Sequence, residues 1–524
     1  MRRVALALFR VSAALLFFAG AASAQSADGA PAPQSQGDRD EGRRSGEPDG
    51  SAPSASSSGR HDPPVSRGDQ AEAPAFTSHP LTTRGYARAS GTYFADNTSS
   101  PLNPIAGVGS SGLGRLIGNL KPEYKPFGDR RLTIAADAFA IVSKEDGTTI
   151  GRDSFNFFLL ESYADLQTGP YRLSAGKRNA VRSVGYFRYP LDFYDTPSLV
   201  TTGAEDPRRV LETRIGPLLA SAERRWSAGS ASVEYLPKLP RNSHFDWHSN
   251  EQQQIIGRYG FVKGGAAVNV AVQRMLGRDQ GIDVDGRPLR ERELTEVGGS
   301  STYVVGSSLE LHAEASFKRD HRLPVATARE FRFGGPVPIV TPQPVWSAGP
   351  KADLVEALVG GQYTFSNRTF LEGWNVIVEY DYQNEGWTSA QWDSFFDQVA
   401  RLQRSGAPSA IGANPLQSQI QAIAVNFGRR TGELLRARPA FSGRHYGFVR
   451  LSRTEFLVNG LEVAAYAVPS LQDFSFVAGA NLAYESQKGF QLRLDTRYLG
   501  GPGRSEFGRS PTRALVQVEI GYGF

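Results

Sequence analysis

Residues 514–524, ALVQVEIGYGF, alternate strictly. Phe524, Tyr522, Ile520, Val518 and Val516 occupy one set of alternate positions, and Gly523, Gly521, Glu519, Gln517 and Leu515 the other. Successive side chains of a strand point to opposite faces, so a period of two predicts a strand with one apolar and one polar face. Two architectures satisfy that pattern. In a soluble sandwich the apolar face enters a core, whereas in a transmembrane barrel it meets lipid and the polar face lines the lumen.

The same alternation recurs from residue 130 onward. It covers 131–142, 155–167, 171–178, 213–226, 230–237, 254–262, 266–275 and 301–306. It continues over 309–318, 354–365, 372–383, 444–456, 461–468, 474–485, 490–499 and the terminal strand. Turn residues separate neighbouring segments at Gly169-Pro170, Ala228-Gly229, Gly264-Gly265, Ser307-Ser308 and Asn459-Gly460, the last a strong hairpin dipeptide. About sixteen strands result, many close to the roughly nine to eleven residues that a tilted strand needs to cross a bilayer. The stretch 84–126 either adds two strands, making eighteen, or lies within the lumen as an insert.

Connection lengths separate the two architectures. With the first strand running outward, every tight turn falls at one end. The other end receives 143–154, 179–212, 238–253, 276–300, 319–353, 384–443 and 500–511, with 469–473 as the short exception. Short turns at one end and long loops at the other are the asymmetry of membrane barrels, and a soluble β-protein has no reason to sort its loops. The expected fold is all-β, a transmembrane antiparallel β-barrel, with the final strand closing it.

The N-terminus agrees. Residues 1–24 combine Arg2-Arg3, an apolar run and Ala22-Ser23-Ala24, the pattern of a cleaved secretory signal peptide. Residues 25–76 are rich in Pro, Gly, Ser and Ala, bury too little apolar area to offset chain entropy, and are expected to form a disordered periplasmic leader. Residues 77–129 form the N-terminal segment, and 130–524 the barrel.

Composition narrows the chemistry. The chain has no cysteine, which excludes disulfides and thiolate chemistry. Its 58 basic and 53 acidic residues nearly balance at +5, so no nucleic-acid partner is implied. Seven histidines are scattered; His244 and His248 flank Asp246 in an external loop without helical spacing, and His312 lies between Glu310 and Glu314 at alternate strand positions. DVDG at 283–286 lacks the glutamate of a calcium loop, since that spacing from Asp283 reaches Leu294. No cofactor, metal or enzymatic activity is expected.

Alternation also assigns faces. In 372–383, Trp374, Val376, Val378, Tyr380 and Tyr382 point to lipid, leaving Asn375, Glu379, Asp381 and Gln383 inside. An arginine or lysine on the lipid face at mid-depth costs about 2–4 kcal/mol, so charged positions turn inward. The pore-lining candidates are Glu161, Asp165, Arg172, Arg178, Arg258, Glu310, Glu314, Glu379, Asp381, Arg493, Asp495 and Arg497. They serve either as cross-strand ion pairs that stiffen a wet interior or as a constriction that orients solutes. The longest loop holds an amphipathic pattern at 388–404, with Trp392, Phe395, Phe396, Val399 and Leu402 at helical spacing and Ser389 as cap; that helix either enters the mouth or covers it. The Pro-rich 324–350 is a second candidate lid.

The terminal pattern of Val516, Val518, Ile520, Tyr522 and Phe524 resembles the C-terminal assembly signal of Gram-negative outer-membrane proteins, and implies recognition by the outer-membrane assembly machinery. LLESYADLQTGPYRLSAGKR, 159–178, looks like a hairpin of porins and alginate-export-type barrels. The resemblance implies residence in the outer membrane, amid its lipid and lipopolysaccharide, and passive diffusion of small polar or charged solutes. Polymer export with a periplasmic partner is the alternative, and an outer-membrane enzyme or receptor a third reading. A homotrimer is left open, as is the identity of the solute.

Overall fold

The computed structural model describes residues 81–96, 111–125, 131–146, 154–179, 183–194, 216–238, 253–282, 288–333, 339–366, 371–384, 386–390, 443–508 and 512–524, together with 393, 394, 397 and 510. Strands β1 (Leu81–Asp96), β2 (Ser111–Tyr124), β3 (Arg131–Asp146), β4 (Ser154–Thr168), β5 (Tyr171–Lys177) and β6 (Leu218–Trp226) come first. There follow β7 (Gly229–Leu236), β8 (Gln253–Lys263), β9 (Ala266–Ile282), β10 (Pro288–Val305), β11 (Leu309–Phe333) and β12 (Ile339–Thr364). The last six are β13 (Trp374–Gln383), β14 (His445–Arg453), β15 (Leu461–Pro469), β16 (Phe476–Glu485), β17 (Phe490–Gly500) and β18 (Thr512–Gly523).

Each strand pairs antiparallel with its neighbours in sequence, and β1 also pairs with β18, closing an 18-stranded sheet. The seam runs from Tyr86 opposite Gly523 to Ala95 opposite Ala514. Beyond it, the Gly85 amide donates to the Phe524 carbonyl and the Phe524 amide to the Gly85 carbonyl, both at 2.9 Å. Closure satisfies backbone groups that an open edge would leave unpaired, a requirement in hydrocarbon.

The count of sixteen is corrected to eighteen. The sixteen alternating segments correspond to β3–β18, and the two extra strands come from the N-terminal stretch. Leu116 and Leu120 of β2 point outward, 57% and 46% exposed, but Gly114 and Gly118 share that face, so its apolar alternation is weak in the sequence. Two connections shorten as well. β9 and β10 extend to Ile282 and from Pro288, and β11 and β12 meet as far out as Phe333 opposite Ile339, so the Pro-rich stretch is largely a ladder instead of a lid. Register shifts at Lys318/His321 and Arg322/Pro324 accommodate the proline there. In the connection after β13, Ser389, Ala390, Asp393, Ser394 and Asp397 are helical. The apolar positions Trp392, Phe395, Phe396, Val399 and Leu402 lie outside the described residues, as do residues 1–80, His244, His248 and the 283–286 loop.

Outside the barrel, Leu116 on β2, Ile134 on β3, Leu173 on β5, Val233 on β7, Ile255 on β8, Val270 and Val272 on β9, Val297 on β10, Leu311 on β11, Val359 on β12, Val378 on β13, Leu494 on β17, and Val518 and Ile520 on β18 stand exposed. A continuous apolar girdle of this kind would be untenable in water and is the surface a bilayer solvates. Toward the short-turn end the girdle gains aromatic pairs: Trp226 with Tyr259 (5.8 Å), Tyr363 with Phe365 (4.8 Å) and Trp374 with Phe456 (5.8 Å). Such rings favour the membrane–water interface.

Candidate functional site: a segment crossing the lumen

Between β5 and β6 the chain contains SVGYFRYPLDFY, residues 183–194, with five aromatic side chains in twelve positions. In a solvated loop that apolar area would be wasted; instead the segment enters the barrel. Tyr186, Phe187, Leu191, Phe193 and Tyr194 are all buried.

Its two ends find different walls. Phe187 stacks on Phe448 of β14 (5.6 Å between centroids, 14° between planes) and joins a cluster with Ile377, Tyr446, Tyr466, Val468, Val477, Leu499, Phe507 and Leu515. Leu191, Phe193 and Tyr194 pack against Leu219, Leu236, Ile256 and Ala271 of β6–β9. These wall residues are inward-facing yet apolar. They break the polar-inside rule because they face protein instead of water.

Carboxylates hold the middle. Glu314 on β11 accepts from the Val184 amide and the Ser183 hydroxyl, both at 2.8 Å, and from the Leu191 amide. Glu379 on β13 accepts from the amides of Tyr186 (2.8 Å) and Phe187 (3.1 Å), and from His312 Nε2 at 2.9 Å. Arg188 reaches Asp381 at 3.4 Å. The Tyr194 hydroxyl donates to Glu234 on β7, and the Tyr186 hydroxyl to Gln362 on β12. A hydrogen bond to a charged group contributes about 1.5–3 kcal/mol, and carboxylates suit a loop whose amides have no backbone partner.

Two glycines make room. A Cβ on Gly298 would lie 2.3 Å from Leu191 Cδ2, so only a bare backbone lets Leu191 seat against β10. A Cβ on Gly360 would lie 2.7 Å from Glu379 Cγ and 2.8 Å from His312 Nε2, inside the space that pair occupies.

A second inward element seals one side of the long-loop end. In the connection after β17, Glu506 accepts from the Tyr446 hydroxyl at 2.9 and 2.7 Å, and Phe507 is fully buried in the Phe187 cluster. The Glu506 amide donates to Asp473 (2.6 Å) in the β15–β16 turn, whose Gln472 donates to the Trp387 carbonyl at 2.8 Å. Arg504 donates to the Asp393 carbonyl at 3.2 Å and to the Asp397 carboxylate. Three connections are thereby tied together over β13–β18.

The sequence-derived candidates divide between two environments. Glu314, Glu379 and Asp381 touch the crossing segment, and Arg258 lies 5.2 Å from the Phe193 ring centre and 3.6 Å from Glu234. Several of the others pair with side chains of the wall itself. Lys121 reaches Glu161 (3.0 Å), Arg172 reaches Asp165 (2.9 Å), and Arg178 donates to Ser174 (3.3 Å). Asn481 bonds Asp495, while Arg493 stands opposite Glu519, which Arg88 meets at 3.4 Å. Glu310 and Arg497 are partly buried on β11 and β17. The β7–β13 wall carries Glu234, Glu296, Glu314, Glu356, Glu379 and Asp381 against Arg258 and Lys318, and the last bridges Glu296 (3.4 Å) and Glu356 (3.7 Å). Arg88, Arg450, Arg493 and Arg497 concentrate on β14–β1.

The segment itself, residues 183–194, is absent from the sequence-derived candidates, as is Glu506. Aromatic density without strand or helix period in a connection at the wet end was the available signal.

No protein-family model matches the chain, and no curated protein matches it in sequence. Among solved structures it is similar to OccAB1 of Acinetobacter baumannii, at 9% identity over 87% of this chain and 99% of that one, TM-score 0.49. It is similar to OccK2 (OpdF) of Pseudomonas aeruginosa, solved with glucuronate, at 9% identity over 85% and 98%, TM-score 0.43. OmpF of Salmonella typhi, solved with daunomycin, gives 13% identity over 85% and 97%, TM-score 0.40. The closed antiparallel sheet and its apolar girdle make this chain a multi-pass transmembrane β-barrel.

Proposed function

We propose that the protein is a diffusion channel for small polar or charged solutes, narrowed by residues 183–194. The observation that carries this reading is the seating of that segment on Glu314 and Glu379, while on the β2–β5 wall Lys121 pairs with Glu161 and Arg172 with Asp165. Solutes would pass between the crossing segment and that wall. Glu161, Asp165, Arg172, Arg178, Arg493, Asp495 and Arg497 would line the passage, with Glu310 near its short-turn end, while Arg258, Glu314, Glu379 and Asp381 would shape it by holding the segment. Charged rows on facing walls orient polar solutes and bias ion passage.

Polymer export is the less favoured reading, because a wide conduit has no use for a segment stapled across it. A catalytic role is the third reading, and among the described residues His312 is committed to Glu379 inside the wall. Residues 1–24 would be removed on export and 25–76 would remain in the periplasm. Val516, Val518, Ile520, Tyr522 and Phe524 would be read by the assembly machinery before the seam to β1 forms. A homotrimer fits this reading without being required by it.

Liposome swelling tests the proposal. Vesicles carrying the protein should swell in iso-osmotic solutions of amino acids and monosaccharides and hold back oligosaccharides. Equal exclusion of all of them would refute a diffusion channel.

A further inference from the structure

The β14–β15 connection does not end where alternation predicts. β14 stops at Arg453, and residues 454–460, TEFLVNG, form the turn, although the sequence pattern extends the strand to Phe456. The turn is internally bonded: the Phe456 amide donates to the Leu461 carbonyl (2.8 Å) and the Val458 amide to the Phe456 carbonyl (2.8 Å). Glu455 and Leu457 take φ of 55° and 64°, a region that residues with a Cβ rarely enter. The outcome is a side chain pushed into the open. Leu457 is 84% exposed and Val458 53%.

Where the turn leans decides what meets those side chains. The Phe456 ring lies edge-on to Trp374, centroids 5.8 Å apart, and the Arg453 guanidinium lies 5.9 Å from the centre of the Phe456 ring. Trp374 belongs to the outward set of β13, with Val378 and Tyr380 above it, 52% and 39% exposed. The turn therefore folds back over the outer wall and not beneath the lumen. It continues the aromatic girdle, with Arg453 and Glu455 beside the apolar tip, the mix of apolar, aromatic and charged groups that settles at a lipid headgroup boundary.

We propose that this turn is an interfacial anchor, inserting Leu457 and Val458 into the leaflet at the short-turn end of the barrel. The occupant of the exposed patch is lipid, because the patch is continuous with the lipid-facing girdle through Phe456 and Trp374. No other turn described at that end combines outward folding with a non-aromatic apolar tip of this exposure: Ser307 and Ser308 of the β10–β11 turn are small and polar.

The absence of cysteine makes the test clean, since an introduced thiol is unique. Full-length Leu457→Cys, Val458→Cys and, as control, Ser307→Cys are labelled with an environment-sensitive fluorophore and reconstituted in phosphatidylethanolamine/phosphatidylglycerol vesicles. Folding is verified by heat-modifiable gel mobility. The proposal expects blue-shifted emission at 457 and 458, quenching by phospholipid carrying a shallow nitroxide, and loss of quenching by aqueous iodide. The label at 307 should show the reverse. Labels at 457 and 458 as iodide-accessible as that at 307 would overturn the proposal. So would shielding from both iodide and lipid nitroxide, which would mean that protein covers the turn.

Discussion

Replacing Glu314 by alanine should release the crossing segment. The carboxylate is 2% exposed and accepts from the Val184 amide, the Leu191 amide and the Ser183 hydroxyl. Bonds to a charged acceptor contribute about 1.5–3 kcal/mol each, and buried donors left unpaired cost about 1–3 kcal/mol. Three donors share one carboxylate and do not add independently, so the seated state should weaken by about 3–6 kcal/mol. At about 1.4 kcal/mol per tenfold, the displaced population rises by roughly two to four orders of magnitude. Trypsin reads this directly at Arg188, which the seated segment holds against Asp381 at 3.4 Å. Where opening is fast relative to cleavage, the cleavage rate follows the open population. The folded Glu314→Ala barrel should therefore be cut after Arg188 about 10²–10⁴ times faster than the parent, following the same tenfold rule. Glu519→Ala, which removes the partner of Arg88 on another wall, should leave the rate unchanged. Parent-like resistance at Arg188 in a folded Glu314→Ala barrel would refute the claim that the carboxylates seat the segment.

Other outcomes follow from the same contacts. Phe448→Ala removes the ring stacked on Phe187 and should cost about 3–5 kcal/mol, raising tryptic cleavage after Arg188 while the barrel stays heat-modifiable. Gly298→Val would drive a side chain into Leu191 and should cost about 1–3 kcal/mol through overpacking, seen as a lower midpoint of thermal unfolding. Removing Phe524 deletes both backbone bonds to Gly85 at the seam and should lower the yield of folded barrel in the outer membrane, assayed by heat modifiability. Arg493→Glu and Arg497→Glu together change the lumen charge by four units, from two positive to two negative, and should move the reversal potential in a KCl gradient toward cation preference.

The barrel was legible in the sequence because lipid demands a repeated two-faced pattern from every strand, so each of β3–β18 carried its own evidence. β1 and β2 were harder to read, since Gly91, Gly114 and Gly118 break the apolar series without breaking the ladder. Inward charges such as Glu314, Glu379 and Asp381 could be assigned by alternation, but their work could not. Whether a lumen carboxylate meets water, an arginine or a loop amide depends on where 183–194 goes, and that path is fixed by contacts with strands more than a hundred residues later. Ile377, Phe448, Val468 and Val477 were the clue in hindsight: apolar residues on the wet face of a barrel wall need something to cover them. The amphipathic pattern at 388–404 was easier to recognise than the irregular apolar segment at 183–194, and its described positions from Ser389 onward are helical, while its apolar positions lie outside the described residues.

Conductance across a planar bilayer shows whether the lumen beside residues 183–194 is an open path. The purified full-length protein, inserted under a KCl gradient, should give stable open steps, and Glu314→Ala should give larger or noisier ones as the crossing segment leaves the lumen. A folded barrel that passes no current in either form would contradict the account, because the wall beside the segment would then not be a path at all.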